Sequence, residues 1–302
     1  MPNFDIARVS DLEIFIITYN RPDDLERTLL CLMASSFSAF NVTVLDNSSD
    51  TCTYEAVEAI QGDFPKLRYI RNLANISGQG NFLQALLLSR SYYTWVICDD
   101  DRYDFNDSLD VLNAISARQV DLLLVGGHPQ DCVPSQASAL NVQDLVASGN
   151  HYFRDSSFLP ALIYRTEFIL ESFIHCMEFS SFLYPHMALV VRAYKENSLI
   201  YVSKNQLITP IYGGAGYSTH EQISAWSRMC GHKDVVSLRK EMLCANWTGP
   251  LDPSGLYGYL NNCIRNSQYI EFLKALVVYK HDILISFARM LRNKFLIGRV
   301  NG

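Results

Sequence analysis

The chain has 302 residues, 49% hydrophobic and 19% charged, with a formal net charge of −6. That is enough apolar mass for one large domain, or a domain with an appendage, and it excludes a chain that is mainly disordered. The charge is uneven: residues 256–302 carry seven Lys or Arg against Glu271 and Asp282, a net of +5, which leaves −11 elsewhere and disfavours nucleic-acid binding by the main body.

Eight cysteines, at 31, 52, 98, 132, 176, 230, 244 and 263, form no C-x-x-C pair and sit mostly in apolar segments. They read as reduced core residues of a cytoplasmic protein, not as zinc ligands or a disulfide framework. The residues after Met1 lack a basic, apolar leader pattern, and no run reaches the roughly 18 to 20 apolar residues that span a bilayer.

Residues 12–18 predict a first strand, broken by Tyr19-Asn20-Arg21-Pro22. Asn20 reads as a helix cap, Pro22 suits the first helical turn, and Asp23 and Asp24 complement its positive end. Leu25, Leu29, Leu32 and Met33 then recur at helical spacing. The unit repeats as strand 42–45, the corner Asp46-Asn47-Ser48-Ser49-Asp50, and a short helix through Ala56, Val57 and Ile60. Strand 67–70 leads through Asn72, Asn75, Gly78 and Asn81 into a helix carrying Leu83, Leu86 and Leu87. A fourth strand, Trp95 to Cys98, runs into Asp99-Asp100-Asp101-Arg102. Alternating strands and helices predict an α/β fold, a mainly parallel sheet flanked by helices, whose ligands bind at the carboxyl ends of the strands. Every polar cluster named here falls at such an end.

Three adjacent carboxylates repel one another and are costly to desolvate. A hard divalent cation, Mn²⁺ or Mg²⁺, bridging a diphosphate is one reason to collect them; a solvated acidic turn is the other. On an extended chain Asp99 and Asp101 share one side and Asp100 takes the other. The chain has neither G-x-G-x-x-G after the first strand nor G-x-x-x-x-G-K-[ST], which disfavours a dehydrogenase or a P-loop enzyme.

Four segments together resemble the inverting, nucleotide-sugar-dependent glycosyltransferases of family 2, with the GT-A fold. They are Thr18-Tyr19-Asn20-Arg21, Asp46-Asn47-Ser48-Ser49, the run from Asn75 through Gly78 to Asn81, and the D-x-D motif at Asp99-Asp100-Asp101, in order over about the first 105 residues. The resemblance implies a nucleotide-binding half over about 12–105 and an acceptor half over about 106–222; the residues beyond, 223–302, read from their own pattern as a helical C-terminal region. It also implies donor contacts from Thr18, Tyr19, Asn20, Arg21, Asp46, Asn47, Asn75, Gly78, Asn81, Asp99, Asp100 and Arg102. Asp101 would be the principal metal ligand, aided by Asp99. For each polar residue, capping or turn formation is the structural alternative.

In the second half a helix is predicted through Leu109, Val111, Leu112 and Ile115, then strand 121–125, a loop region over 126–160, strand 160–164 and a helix over 165–175. Inverting transfer needs a base for the acceptor hydroxyl. Family members supply it as the Asp of a G-E-D-x-x-L-x-x-R helix; the matching phase here is Tyr184-Pro185-His186 through Leu189 to Arg192, so proline and histidine replace the acidic pair. His186 is the first candidate base, since a neutral imidazole accepts a proton, with Glu178 and Asp155 in reserve. Strands follow at 199–202 and 206–211. The glycine-rich segment 212–221 suits a flap, and its His220 is a further candidate metal ligand.

An apolar stripe from Leu273 to Phe295 with interspersed basic residues predicts an amphipathic helix, able to lie on an anionic membrane, on the main domain or on a second copy of the chain. The resulting expectation is a cytoplasmic transferase, working at the inner face of the membrane if its acceptor is there. It would move a sugar from a nucleoside-diphosphate donor, UDP by default, to a glycan or lipid-linked glycan in bacterial polysaccharide synthesis. The alternatives are a divalent-metal phosphohydrolase or nucleotidyltransferase, and a catalytically degenerate glycan-binding subunit.

Overall fold

Four parallel strands carry the first half of the chain in the computed structural model, which describes residues 10–127, 138–148, 152–211, 225, 228–229 and 232–238. β1 (Leu12–Thr18) leads into α1 (Pro22–Met33), β2 (Asn41–Asp46) into α2 (Thr51–Gln61), and β3 (Leu67–Arg71) into α3 (Ser77–Leu88). β4 (Tyr93–Cys98) leads into the aspartates and the two-residue β5 (Arg102–Tyr103). The order β3-β2-β1-β4 is parallel throughout, with Thr18 beside Asp46 and Ile17 beside Cys98 in register, so the carboxyl ends line one edge. β1 is buried along almost its whole length because it has neighbours on both sides and helices on its faces.

The second half adds α4 (Leu109–Ala117), β6 (Leu122–Leu124), β7 (Ser138–Asn141), α5 (Val142–Ala147), α6 (Tyr152–Asp155) and β8 (Leu162–Arg165). α7 (Thr166–Glu171), α8 (Phe173–Ser180), α9 (Met187–Lys195), β9 (Leu199–Val202) and β10 (Ile208–Thr209) follow. β8 pairs antiparallel with both β4 and β6, so β6 points the same way as β4, and its exit at Gly126-Gly127 joins the edge that carries the aspartates. β9 is parallel to β6 and β7 closes the edge antiparallel, giving an eight-stranded mixed sheet in which β10 pairs separately with β5. The core joins the two halves: Trp95 packs on Phe37 and Phe105, and its indole N–H donates to the Pro160 carbonyl at 2.9 Å.

The strands lie where the apolar runs predict them, and several local expectations are corrected. Segment 126–160, read as loop, contains β7, α5 and α6. The single helix read over 165–175 is two, broken at Ser172, where Arg192 donates to the Phe168 carbonyl at 3.0 Å and to the Ser172 hydroxyl at 2.6 Å. The strand read over 206–211 is ladder-paired only at Ile208–Thr209. Leu87 and Leu109 are exposed, the buried face of α3 being Asn81, Phe82, Ala85 and Leu86. Cys52 is exposed and only Cys176 of the described cysteines is fully buried, so the reading of cysteines as core residues holds in part.

The chain divides into two compact units, Met1–Gly214 and Ala215–Gly302. Every described strand belongs to the first; the described part of the second includes one helical turn, Val236–Leu238. No helix among the described residues is long and apolar enough to cross a membrane. The predicted amphipathic stripe over 273–295 lies outside the described residues, as does the glycine-rich segment 212–221 with His220.

Candidate active site

The chain leaves extended geometry at the end of β4 and turns through Asp99 to Asp101, so the alternation expected for 99, 100 and 101 does not apply. Asp99 faces inward. It is fully buried, accepts the Thr18 hydroxyl at 2.6 Å, and lies 2.9 Å from an Arg21 guanidinium nitrogen; its carbonyl accepts the Thr28 hydroxyl at 2.9 Å. Arg21 also pairs with Asp100. The Cys98 sulfur and one carboxylate oxygen each of Asp100 and Asp101 lie within 4.8 Å of one another. The carboxylate turned toward the same point as Asp101 is therefore that of Asp100, and Asp99 supports it from behind through Arg21.

Burial pushes the carboxyl groups of Asp99 and Asp101 up to about 7, against the pull of Arg21 on Asp99 and with the push of Asp100 on Asp101, whose carboxylate also accepts the Ile211 backbone amide. A desolvated carboxyl beside another acid is a position where a hard divalent cation would compensate an existing cost. Asp100 and Asp101 fit Mn²⁺ or Mg²⁺ in donor type; Cys98 adds a softer donor that the sequence reading passed over.

Beside this corner, Asp46 is fully buried and both its oxygens are engaged, Oδ1 by the Ser49 amide at 2.9 Å and Oδ2 by the Tyr69 hydroxyl, with Arg71 at 3.8 Å. Asn47 links two segments: its amide donates to Asn75 Oδ1 at 2.7 Å, and its oxygen accepts the Ile76 amide at 2.8 Å. Asn81, buried on α3, accepts from Asn72 at 2.6 Å and donates to the Leu45 carbonyl at 3.2 Å. Asn75 and Gly78 are exposed at the mouth, as are Tyr19 and Arg102.

Asn20 is not the helix cap: the cap position is Arg21, and Asn20, at φ 53, joins the ends of β1 and β2. Its backbone N–H donates to Ser49 Oγ at 2.8 Å and its side-chain oxygen accepts the Asp50 amide at 2.9 Å. Tyr69 and Thr28, which the sequence did not single out, complete this network together with Ser49. Only Ser49, inside the D-N-x-S segment, carried a local signal.

Across the edge, Asp155 is 8% exposed and its carboxylate sits 3.1 Å from Arg154 Nε. It packs against Gly127, where a Cβ would lie 2.9 Å from Asp155 Cγ. Gly127 donates to the Ile208 carbonyl at 3.4 Å, so Asp155 and Asp101 are connected through the short run 208–211. His186 is 2% exposed, its Nε2 lies 3.0 Å from the Ser157 carbonyl, and burial pushes its imidazolium down to about 4. Glu178 is exposed on α8 and pairs with His175 at 3.3 Å. The geometry thus brings Thr18, Arg21, Asp99, Asp100 and Asp101 together, sets Asp46, Asn47, Asn75 and Asn81 beside them, and leaves Glu178 on an outer helix.

Comparison with known proteins finds sugar-transfer enzymes among those the chain resembles. Residues 13–155 match the family described as Glycosyl transferase family 2. The chain is 30% identical over 123 residues to abequosyltransferase RfbV of Salmonella typhimurium, a match over 39% of this chain and 36% of that protein, so it spans about a third of the relative's length. Among solved structures, S. aureus TarS 1-349 in complex with UDP-GlcNAc superposes with a TM-score of 0.62 at 16% identity, over 90% of this chain and 81% of that one. Mannosyltransferase PcManGT from Pyrobaculum calidifontis, in complex with GDP-Man and Mn²⁺, gives 0.55 at 12% identity, over 94% and 85%. At those identities the structural likeness is one of fold alone.

Proposed function

We propose that the chain, whose residues 13–155 match the glycosyl transferase family 2 model on a sheet of the kind seen in TarS, transfers a sugar, with inversion, from a nucleoside-diphosphate donor to a hydroxyl of a glycan or lipid-linked glycan. The observation that carries this is the meeting of Asp100 and Asp101 at the carboxyl end of β4, with Arg21 and Thr18 bracing Asp99 behind them. A solvated acidic turn would not bury Asp99 completely or Asp101 to 6% exposure.

In this reading the diphosphate lies at the aspartate corner and the nucleoside lies along the ends of β1, β2 and β3. The exposed Tyr19, Asn75 and Gly78 offer surface to the base and ribose. Asp46 and Asn47, already saturated by Ser49, Tyr69, Asn75 and Ile76, hold the shape of that surface. Mn²⁺ or Mg²⁺, held by Asp100 and Asp101 with Cys98 alongside, would neutralise charge on the departing diphosphate. Arg21 contributes a fixed positive charge to the same corner.

The two structural neighbours hold different nucleotide sugars, UDP-GlcNAc in one and GDP-Man in the other. UDP remains the first to test, ahead of CDP, dTDP and GDP. The abequosyltransferase relative supports an acceptor in surface-polysaccharide assembly, which would bring the protein to the inner face of the membrane.

A calorimetric titration of the full chain with UDP, CDP, dTDP and GDP, with and without Mn²⁺, tests the proposal. One diphosphate should bind in a metal-dependent manner, and its sugar conjugate should be consumed faster when a glycan acceptor is added. Turnover that ignores acceptor would favour a phosphohydrolase, and binding of glycans with no donor turnover would favour a degenerate subunit.

A further inference from the structure

We propose that the proton acceptor of this transferase is Asp155, and that His186, standing where the family carries its acid, is a positioning residue that braces the turn bearing Asp155. The inference rests on the transferase reading above.

His186 is badly placed to meet a substrate. It is 2% exposed, with its ring against Phe82 at 6.1 Å and Tyr184 at 6.2 Å between centroids. Its Nε2 faces the Ser157 carbonyl at 3.0 Å, and since a carbonyl only accepts, that nitrogen carries the hydrogen. An acceptor hydroxyl would have to displace core side chains to reach the ring. The contact His186 does make is with the turn that follows Asp155.

That turn is tightly organised. The Ser157 amide donates to the Arg154 carbonyl at 3.1 Å, the Ser157 hydroxyl donates to the same carbonyl at 2.6 Å, and the Phe158 amide donates to the Asp155 carbonyl at 3.2 Å. His186 ties the turn to the start of α9. Gly127, at φ +150 and without a Cβ, admits the Asp155 side chain to the carboxyl end of β6. Arg154 holds Asp155 Oδ1 through Nε and Nη2, both at 3.1 Å, which orients the carboxylate.

Asp155 and the aspartate corner are tied to one short run of chain: Gly127 bonds to Ile208 and Asp101 bonds to Ile211, and three residues of chain span at most about 10 Å. In the step itself the acceptor O–H bond breaks and its proton passes to the Asp155 carboxylate. The oxygen forms a bond to the anomeric carbon. The bond from that carbon to the diphosphate oxygen breaks, and its electron pair leaves on the nucleoside diphosphate.

The test compares Asp155→Asn, His186→Gln and His186→Ala in the full chain. UDP, GDP, CDP and dTDP with Mn²⁺ are the binding probes, and UDP-, GDP-, CDP- and dTDP-linked hexoses are the donors, with transfer to octyl glycosides and to water both counted. Asp155→Asn should keep diphosphate affinity within about threefold and lose on the order of 10²- to 10⁴-fold in turnover. His186→Gln retains a donor for the Ser157 carbonyl without an imidazole; it should stay within about tenfold of the parent in turnover and keep the parent's pH profile, whereas His186→Ala should lose both turnover and thermal stability. If Asp155→Asn fails to fold, His186→Gln still decides. A loss of turnover there equal to removing a base, with affinity intact, overturns the proposal, as does an active Asp155→Asn. A parent protein that binds none of the diphosphates instead removes the transferase reading on which the inference stands.

Discussion

Asp101→Asn should make the metal-free protein more stable. The Asp101 carboxyl is pushed up to about 7 by burial and by Asp100, from an ordinary 3.8. Between those two values the folded state binds more protons than the unfolded one, so stability falls as pH rises through the window, and the full cost is present above pH 7. Three units correspond to about 4 kcal/mol as a ceiling. Asp99 titrates in the same corner, which leaves on the order of 1–2 kcal/mol for Asp101 itself. Asparagine keeps an oxygen for the Ile211 amide and carries no charge. For a domain of this size the gain is a rise in Tm of about 3–6 °C at pH 8. Scanning fluorimetry in EDTA from pH 5 to 8 measures it: the parent should lose stability across the range more steeply than the variant, and the variant should lose the Mn²⁺-induced rise. An Asp101→Asn protein that melts at or below the parent at pH 8, with the same slope, would refute the account of the corner as desolvated and under-compensated.

Thr18→Val removes the 2.6 Å bond to a fully buried carboxylate at nearly constant volume; urea titration should show a loss of about 1.5–3 kcal/mol. Gly127→Ala puts a side chain at φ +150 and within 2.9 Å of Asp155, so a destabilisation of about 1–3 kcal/mol should accompany a fall in turnover with donor affinity kept; unchanged turnover would mean that the approach of Asp155 to Gly127 is without consequence. His186, lowered to about 4 from 6.5, is held neutral in the fold, so stability should drain away as pH falls from 6.5 to 4, by up to about 3 kcal/mol. His186→Gln should flatten that acid limb in a Tm-against-pH series.

The strands and the polar segments at their ends were legible because both signals are local. An apolar run of β length stopped by Asn, Asp or Gly marks a strand and its exit, and four in succession with helices between them define the sheet. What those exits do to one another was not legible. Thr18 and Asp99 are 81 residues apart, and Asn47 and Asn75 are 28 apart; nothing in either segment names its partner. Asn20 was misread for a related reason: its residue type suits a cap and a left-handed link equally, and only the arrival of Ser49 and Asp50 beside it selects the second. The α7–α8 break likewise depends on Arg192, twenty residues downstream of Ser172. Tyr69, which closes Asp46, looked like an ordinary strand residue.

The three aspartates at the end of β4 have three different surroundings. Asp99 is committed to Thr18 and Arg21, Asp100 shares Arg21, and Asp101 receives only a backbone amide from Ile211 among the contacts that lower its carboxyl most directly. Three carboxylates against one guanidinium leave two negative charges in a buried corner. Such an excess is relieved by taking up protons near neutrality, which is the direction both buried carboxyls take, or by a doubly charged cation, which restores neutrality without them. A monovalent neutraliser, such as a second arginine, would leave the corner still charged and would fill the place proposed for the diphosphate. The residual charge of the corner, more than the spacing of its aspartates, is the feature that would favour a divalent ion in the proposed transferase.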